Sequence, residues 1–144
     1  MSVVAPRMPR MGARIEIATA VLVRDGLVLL AHRHPGREAY PDSWSFLGGH
    51  VEPGELPHEA VARECREEIR VDIDNPRPIA MTVNNPVLTM HGFLVTRWAG
   101  EPVNAAPEEH DDLRWFRPSH LTNLKLAHPE TLPSVLEAVR VAAG

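Results

Sequence analysis

The chain has 144 residues, of which 15 are basic and 19 acidic, a net charge of −4 with histidine neutral. With 44% hydrophobic and 24% charged residues it reads as a globular chain of one domain's size, which excludes a disordered protein. A mildly acidic total argues against stable nucleic-acid or membrane-surface binding, which needs a clustered positive field, and the single cysteine, Cys65, excludes a disulfide framework or a cysteine-based zinc site.

The first fourteen residues carry Arg7, Arg10 and Arg14 without an apolar core, so they do not read as a secretory signal. With Pro6, Pro9 and Gly12 they read as a flexible N-terminal tail ahead of a single domain over residues 15–144. No apolar run approaches the roughly 18 to 20 residues needed to span a bilayer, and the cytoplasm is the default location. The bias of 14 Arg to one Lys, Lys125, reads as genome base composition.

Ile15 to Arg24 is β-branched and apolar, and Asp25-Gly26 then supplies a hairpin turn before a second strand over Leu27 to His34. His34 to Ser43, with Pro35, Gly36 and Pro41, is a loop. Trp44 to Val51 is extended and interrupted by Gly48-Gly49, and Pro53-Gly54 turns the chain into a helix over Pro57 to Arg70. Strands are expected at Pro78 to Val83, Thr89 to Trp98 and Leu113 to Phe116, with loops at Asn84-Asn85-Pro86 and Gly100 to Asp111. Pro118 to Leu121 reads as a helical turn. The last helix, Glu130 to Ala142, has Leu132, Val135, Leu136 and Val139 at helical spacing and Pro133 in its first turn. The fold class is α/β (α+β) with mixed strand order.

Acidic charge is concentrated. Glu55, Glu59, Glu64, Glu67 and Glu68 fall within fourteen residues. On a helical wheel Glu64, Glu67 and Glu68 stand at i, i+3 and i+4 and share one face. Ala62, Cys65 and Ile69 make a neighbouring core stripe, which makes Cys65 a packing residue, and Glu59, Arg63, Arg66 and Arg70 fill a third face. Such a face can be a solvated surface with Glu59–Arg63 and Arg63–Glu67 ion pairs. It can also be a site for Mg²⁺ or Mn²⁺, hard cations that take oxygen ligands and share them with phosphates.

The string from Gly49 to Val71, GHVEPGELPHEAVARECREEIRV, resembles the Nudix box, G-x5-E-x7-R-E-U-x-E-E-x-G-U with U aliphatic. Gly49, Glu55, Arg63, Glu64, Glu67, Glu68 and Val71 match in register, and Cys65 takes an aliphatic position. Arg70 replaces the second Gly, so the helix is expected to run further or to end by another geometry; Leu47 replaces a common Pro. The resemblance implies a Nudix fold, a mixed sheet sandwiched between helices, and hydrolysis of a nucleoside diphosphate linked to another group. It also implies Mg²⁺, or Mn²⁺, held by Glu64, Glu67, Glu68 and the Gly49 carbonyl. Arg63 would pair with Glu55, and Arg63, Glu64, Glu67 and Glu55 would form the catalytic set. The general base is Glu64, Glu67, or a glutamate of the later acidic loop, Glu108 or Glu109.

Substrate contacts are expected outside the box. Arg33, His34 and Arg37 follow the second strand and are candidates for phosphate. Trp44 could stack a base, while Phe46 is the better core residue. Asn123 resembles a base-reading Asn of MutT-type members, and Asp111 to Phe116 looks MutT-like as well. Pro86 has a spacing found in ADP-ribose hydrolases. Most histidines are expected at the surface, with His50 nearest the site. A nucleoside triphosphate, oxidised or not, is the leading substrate; ADP-ribose or a nucleotide sugar, and a non-catalytic nucleotide-binding module, are the alternatives. The chain is a monomer or homodimer.

Overall fold

The computed structural model describes residues 14–143. The expected tail therefore lies outside the described residues except for Arg14, whose guanidinium donates to the Pro86 carbonyl and to Thr89. The apolar run Ile15–Arg24 forms strand β1, and Asp25 and Gly26 both take positive φ, 54° and 76°, the conformation of a tight hairpin turn into β2, Leu27–Arg33. The segment after the loop divides into β3, Trp44–Ser45, and β4, Leu47–His50, because β3 pairs with β2 whereas β4 pairs with β1. Helix α1 spans Pro57–Ile69. Then come β5 (Asp72–Ile73), β6 (Arg77–Ile79), β7 (Leu88–Val95), β8 (Trp98–Ala99) and β9 (His110–Phe116). Two 3₁₀ turns, Pro118–Asn123 and Pro129–Thr131, precede α2, Leu132–Ala143.

Several boundaries differ from the sequence reading. β6 is shorter than the expected strand because its ladder with β7 stops at Ile79 opposite Gly92. The expected strand to Trp98 ends at Val95, and Trp98–Ala99 pairs instead with Asp72–Ile73, a small ribbon without a sequence signal. β9 begins three residues early, inside the expected loop, because His110 is registered against Arg33. The last helix starts at Leu132, after a 3₁₀ turn, with Pro133 in its first turn as expected.

β1 is the axis of a mixed sheet. Along Ile15–Leu22 it runs parallel to β7; its other edge is antiparallel to β4 over Ile17–Ala20 and to β2 at Val23–Arg24. β2 in turn pairs antiparallel with β9. Alternation along the strands sorts the core into two faces. Ala18, Ala20, Leu22, Leu29 and Ala31 pack with Ala60, Val61, Cys65 and Ile69 of α1. Val21, Val28, Leu30 and Leu94 pack with Leu132, Val135 and Val139 of α2. A helix thus covers each face of the sheet, the sandwich that was expected.

The buried stripe of α1 is Ala60, Val61, Cys65, Glu68 and Ile69, not one centred on Ala62. Ala62 lies a further 100° round from Val61 and is only half-buried. Cys65 is fully buried, and burial pushes its thiol well above the ordinary range, as a packing residue requires.

The helix end overturns one expectation. α1 neither continues nor changes its manner of ending: Arg70 itself adopts the left-handed conformation, φ 60° and ψ 37°, and its N–H donates to the Arg66 carbonyl. The Ile69 and Glu68 carbonyls accept from the N–H groups of Val103 and Ala105, so the loop after β8 closes the helix where side chains do not. A left-handed non-glycine residue costs about 1–2 kcal/mol, part of which glycine returns through its looser unfolded state. Arg70→Gly is therefore expected to raise unfolding free energy by about 0.5–1 kcal/mol. Equilibrium urea denaturation of the two proteins measures it.

Candidate metal and phosphate site

Two close approaches set the geometry. Gly48, at φ 147°, leaves no space for a Cβ, which would overlap the Ala18 carbonyl on β1. A Cβ at Gly49 would stand 2.5 Å from Glu64 Oε2. Gly48 accepts only glycine, a side chain at Gly49 would displace the Glu64 carboxylate, and the bare backbone of the pair lets β4 lie directly against the carboxylate face of α1.

On that face the three glutamates are not equivalent. Glu67 has a side chain 60% exposed, that of Glu64 is 15% exposed, and Glu68 is buried in the helix–sheet interface. Glu68 Oε1 accepts from the Gly48 N–H at 3.2 Å. Burial, reinforced by the neighbouring Glu64 charge, holds its carboxyl well above the usual carboxylate range. A divalent cation is the partner that would relieve both effects, and this donor set of carboxylates beside a bare backbone fits one.

Arg63 organises the same face. Its Nε and Nη2 donate to the two oxygens of Glu55 at 2.7 and 3.0 Å, a bidentate pair. Nη1 donates to Glu64 at 3.0 Å and to Glu67 at 3.2 Å, and Nη2 also reaches the His50 carbonyl at 3.0 Å. Glu55 accepts in addition from the Glu52 N–H, and with Arg63 first among the causes its carboxyl is lowered to about 2. The expected Arg63–Glu67 pair forms. The expected Glu59–Arg63 pair does not, because Glu59 turns back to accept from the Leu56 N–H at 2.9 Å and caps the helix.

The later acidic loop contributes one of its two candidate glutamates. Glu109 stands with Glu68 and His110 in a group whose donor atoms lie within 4.8 Å of one another, while Glu108 is exposed and outside it. His110 was hidden in the sequence among histidines expected at the surface. It is 4% exposed, and burial followed by the charges of Arg37 and Arg33 lowers its imidazole to about 4. Its presence here is a tertiary effect: it faces inward because β9 is registered against β2, and no local pattern marks that face.

A cavity of about 300 Å³ opens beside Gly48, Gly49 and Glu68. Arg33 and Arg37 line it, as do Trp44, Phe46, Met90 and His128. Arg33 is largely engaged: its guanidinium donates to the carbonyls of Ala39 and Tyr40 and so braces the loop, and burial lowers its pKa. Arg37 is freer, its nearest acid being Glu109 at 3.9 Å. His34 is exposed, outside the cavity wall, and its Nδ1 accepts from the Gly36 N–H within its own turn. Asn123 is likewise exposed and outside the wall, at the end of a 3₁₀ turn. Pro86 does not line the cavity either, although its neighbour Asn85 does. Instead the segment Leu126–His128 enters the wall because the backbone of Trp44 exchanges hydrogen bonds with Lys125 and Ala127. Trp44 lies edge-on to His32 and Phe116, and Phe46 packs toward the α2 core while also lining the cavity.

Comparison with known proteins gives the family. Residues 14–138 match the NUDIX domain family, and the chain belongs to it. Over 112 residues the chain is 42% identical to an NAD-capped RNA hydrolase NudC of Stutzerimonas stutzeri, covering 77% of this chain but 38% of that protein. It is 33% identical over 127 residues to a CTP pyrophosphohydrolase of Escherichia coli, covering 86% of this chain and 90% of that one. The chain thus spans less than half the length of the NudC relative and nearly all of the second. Among solved structures, the ORF135 protein of E. coli superposes with TM-score 0.73 at 29% identity, covering 94% and 97% of the two chains. A MutT NUDIX hydrolase of Burkholderia pseudomallei gives 0.69 at 27% identity, covering 86% and 96%. By family and by these relatives the chain stands among the Nudix hydrolases, which act on nucleotide-linked phosphoric anhydrides. No helix among the described residues is long and apolar enough to cross a membrane.

The lowered Glu55 carboxyl gives a pH signature. A carboxylate depressed in the folded state stabilises the protein above its unfolded value, near 4.5, and loses that contribution as pH falls through about 2. The stability difference between the wild type and Glu55→Gln is expected to be level from neutral pH down to 5 and to shrink between 4.5 and 2. Denaturant titrations of both proteins across that range check it.

Proposed function

We propose that the chain is a divalent-cation-dependent nucleoside triphosphate pyrophosphohydrolase, converting a triphosphate and water into a nucleoside monophosphate, pyrophosphate and a proton. The observation that carries the reading is the juxtaposition of the buried Glu68 and the Gly48-Gly49 backbone with a cavity lined by both arginines and aromatic rings. A triphosphate has the matching polarity, with anionic phosphates at one end and a flat base at the other. The CTP pyrophosphohydrolase of E. coli, matched over 90% of its length, supports this class of substrate.

Glu64, Glu67, Glu68 and the Gly49 carbonyl would hold Mg²⁺, with Mn²⁺ as a substitute. Bound there, a divalent cation neutralises non-bridging phosphate oxygens and lowers the pKa of coordinated water. Arg63 keeps the carboxylates of Glu64 and Glu67 aimed along one face, and Glu55 keeps Arg63 in place. Glu67, which solvent reaches most freely, takes the proton of the attacking water, and Glu109 is the group from the later loop that could share this work. Arg37 meets the phosphates. Arg33 acts by holding the loop through Tyr40, and the base lies against Trp44.

The test is a panel of nucleoside triphosphates, oxidised triphosphates, ADP-ribose and NAD, assayed with Mg²⁺ for phosphate and pyrophosphate release. Pyrophosphate release from triphosphates is expected. Preferential cleavage of ADP-ribose or NAD would replace the substrate class, and turnover of none would favour a nucleotide-binding module. In the same assay Glu67→Gln and Glu68→Gln are expected to lower kcat by about 10²-fold or more with the circular dichroism spectrum retained. Arg37→Ala is expected to act mainly on KM.

A further inference from the structure

Among the described residues, His110 holds the two buried side-chain nitrogens that have no hydrogen-bond partner. An imidazole out of contact with solvent normally has both nitrogens bonded, because each unmet polar atom costs about 1–3 kcal/mol. Asn104 bridges the loop, donating from Nδ2 to the His110 carbonyl at 2.8 Å and accepting at Oδ1 from the Ala106 N–H at 3.1 Å. The Ala105 N–H donates to the Glu68 carbonyl at 2.8 Å, which ties the same loop to the end of α1. These bonds hold the backbone of the loop, and the ring lies beside Glu68, with Nε2 3.9 Å from Glu68 Oε1. Glu109 completes the group.

The geometry points to a second divalent-cation site, formed by Glu68, Glu109 and the imidazole of His110, that selects a transition-series ion over Mg²⁺. Donors on metal bonds of about 2.1 Å are about 3 Å apart at right angles and about 4.2 Å apart when opposite, so the His110–Glu68 pair already stands at ligand separation. Glu109 is half-exposed and supplies the adjustable third donor. The selectivity follows from the donor set: Mg²⁺ takes oxygen and rarely imidazole, whereas Mn²⁺, Fe²⁺, Co²⁺ and Zn²⁺ accept nitrogen. Glu68 would be shared with the cation proposed on the helix face, so the inference rests on that reading. It adds a nitrogen ligand that the helix face alone does not offer.

The test uses the full chain and Mn²⁺ without nucleotide, read by electron paramagnetic resonance. Pulsed spectra are expected to show ¹⁴N coupling from a directly bound imidazole. The coupling should change to the ¹⁵N pattern when the histidines alone are ¹⁵N-labelled. His50→Gln, at an exposed position on the cavity wall, is expected to keep the coupling. His110→Gln is expected to lose it and to weaken Mn²⁺ binding by roughly 10-fold or more while leaving Mg²⁺ binding unchanged. Mn²⁺ bound without nitrogen coupling would overturn the inference and leave the helix-face site standing. Coupling that disappears in His50→Gln would overturn it too, and failure to bind Mn²⁺ at all would overturn both. If the His110 variant does not fold, coupling that survives in both His50→Gln and His128→Gln, the other two histidines of the cavity wall, upholds the inference, and coupling lost in either overturns it.

Discussion

The guanidinium of Arg63 is the interaction on which the rest of the site depends. It sits at the meeting point of the turn before α1, the end of β4 and the carboxylate face, and it donates to all three through Glu55, the His50 carbonyl, Glu64 and Glu67. Like charges at i and i+3 or i+4 repel on an open helix. Here one planar cation with fixed donor directions offsets that repulsion and converts flexible glutamates into an oriented set. Lysine carries the same charge but no fork, so it could not address these acceptors together.

The sheet supplies what Arg63 cannot, a rigid wall opposite the carboxylates. β4 is held by β1 and by the exclusion of any side chain at Gly48, while Glu68 is fastened to that wall through the Gly48 N–H. Glu68 therefore belongs at once to the core beneath α1 and to the site above it. The loop of Asn104 to Glu109 closes the same helix end from the other side, so the group around His110 is built from backbone that the helix needs for its own unsatisfied carbonyls.

The readability of the sequence varied with distance along the chain. The acidic face and the hairpin turn at Asp25-Gly26 are local patterns, written within a few residues and legible there, whereas the Arg63–Glu55 pair and the helix on each side of the sheet come from the resemblance of the Gly49–Val71 string to the Nudix box. The missing glycine at Arg70 reads as a changed helix end, yet Arg70 keeps the left-handed conformation, and the distant N–H groups of Val103 and Ala105, which no local pattern reveals, meet the last carbonyls. His110, His128 and Tyr40 could not be read at all. Their burial or place in the cavity depends on the β2–β9 register and on the pairing of Trp44 with Lys125 and Ala127, contacts between distant segments. His34 and Asn123 fail as wall residues for the converse reason: each sits near the right strand or turn, but its backbone directs it outward.

The parallel register of β1 with β7 carries a consequence for the order of assembly. Ile15 through Leu22 align with Leu88 through Val95, so these strands meet only after the intervening segment, with β4 and α1, has been gathered between them. Closing so long a loop is slow relative to forming a hairpin or a helix. A chain emerging from synthesis can thus present the complete acidic helix and the Gly48-Gly49 strand before β7 and β9 exist to enclose them. During that interval the carboxylates face water without the sheet's wall opposite them. The order in which the acidic face becomes enclosed is then tied to the topology of the sheet.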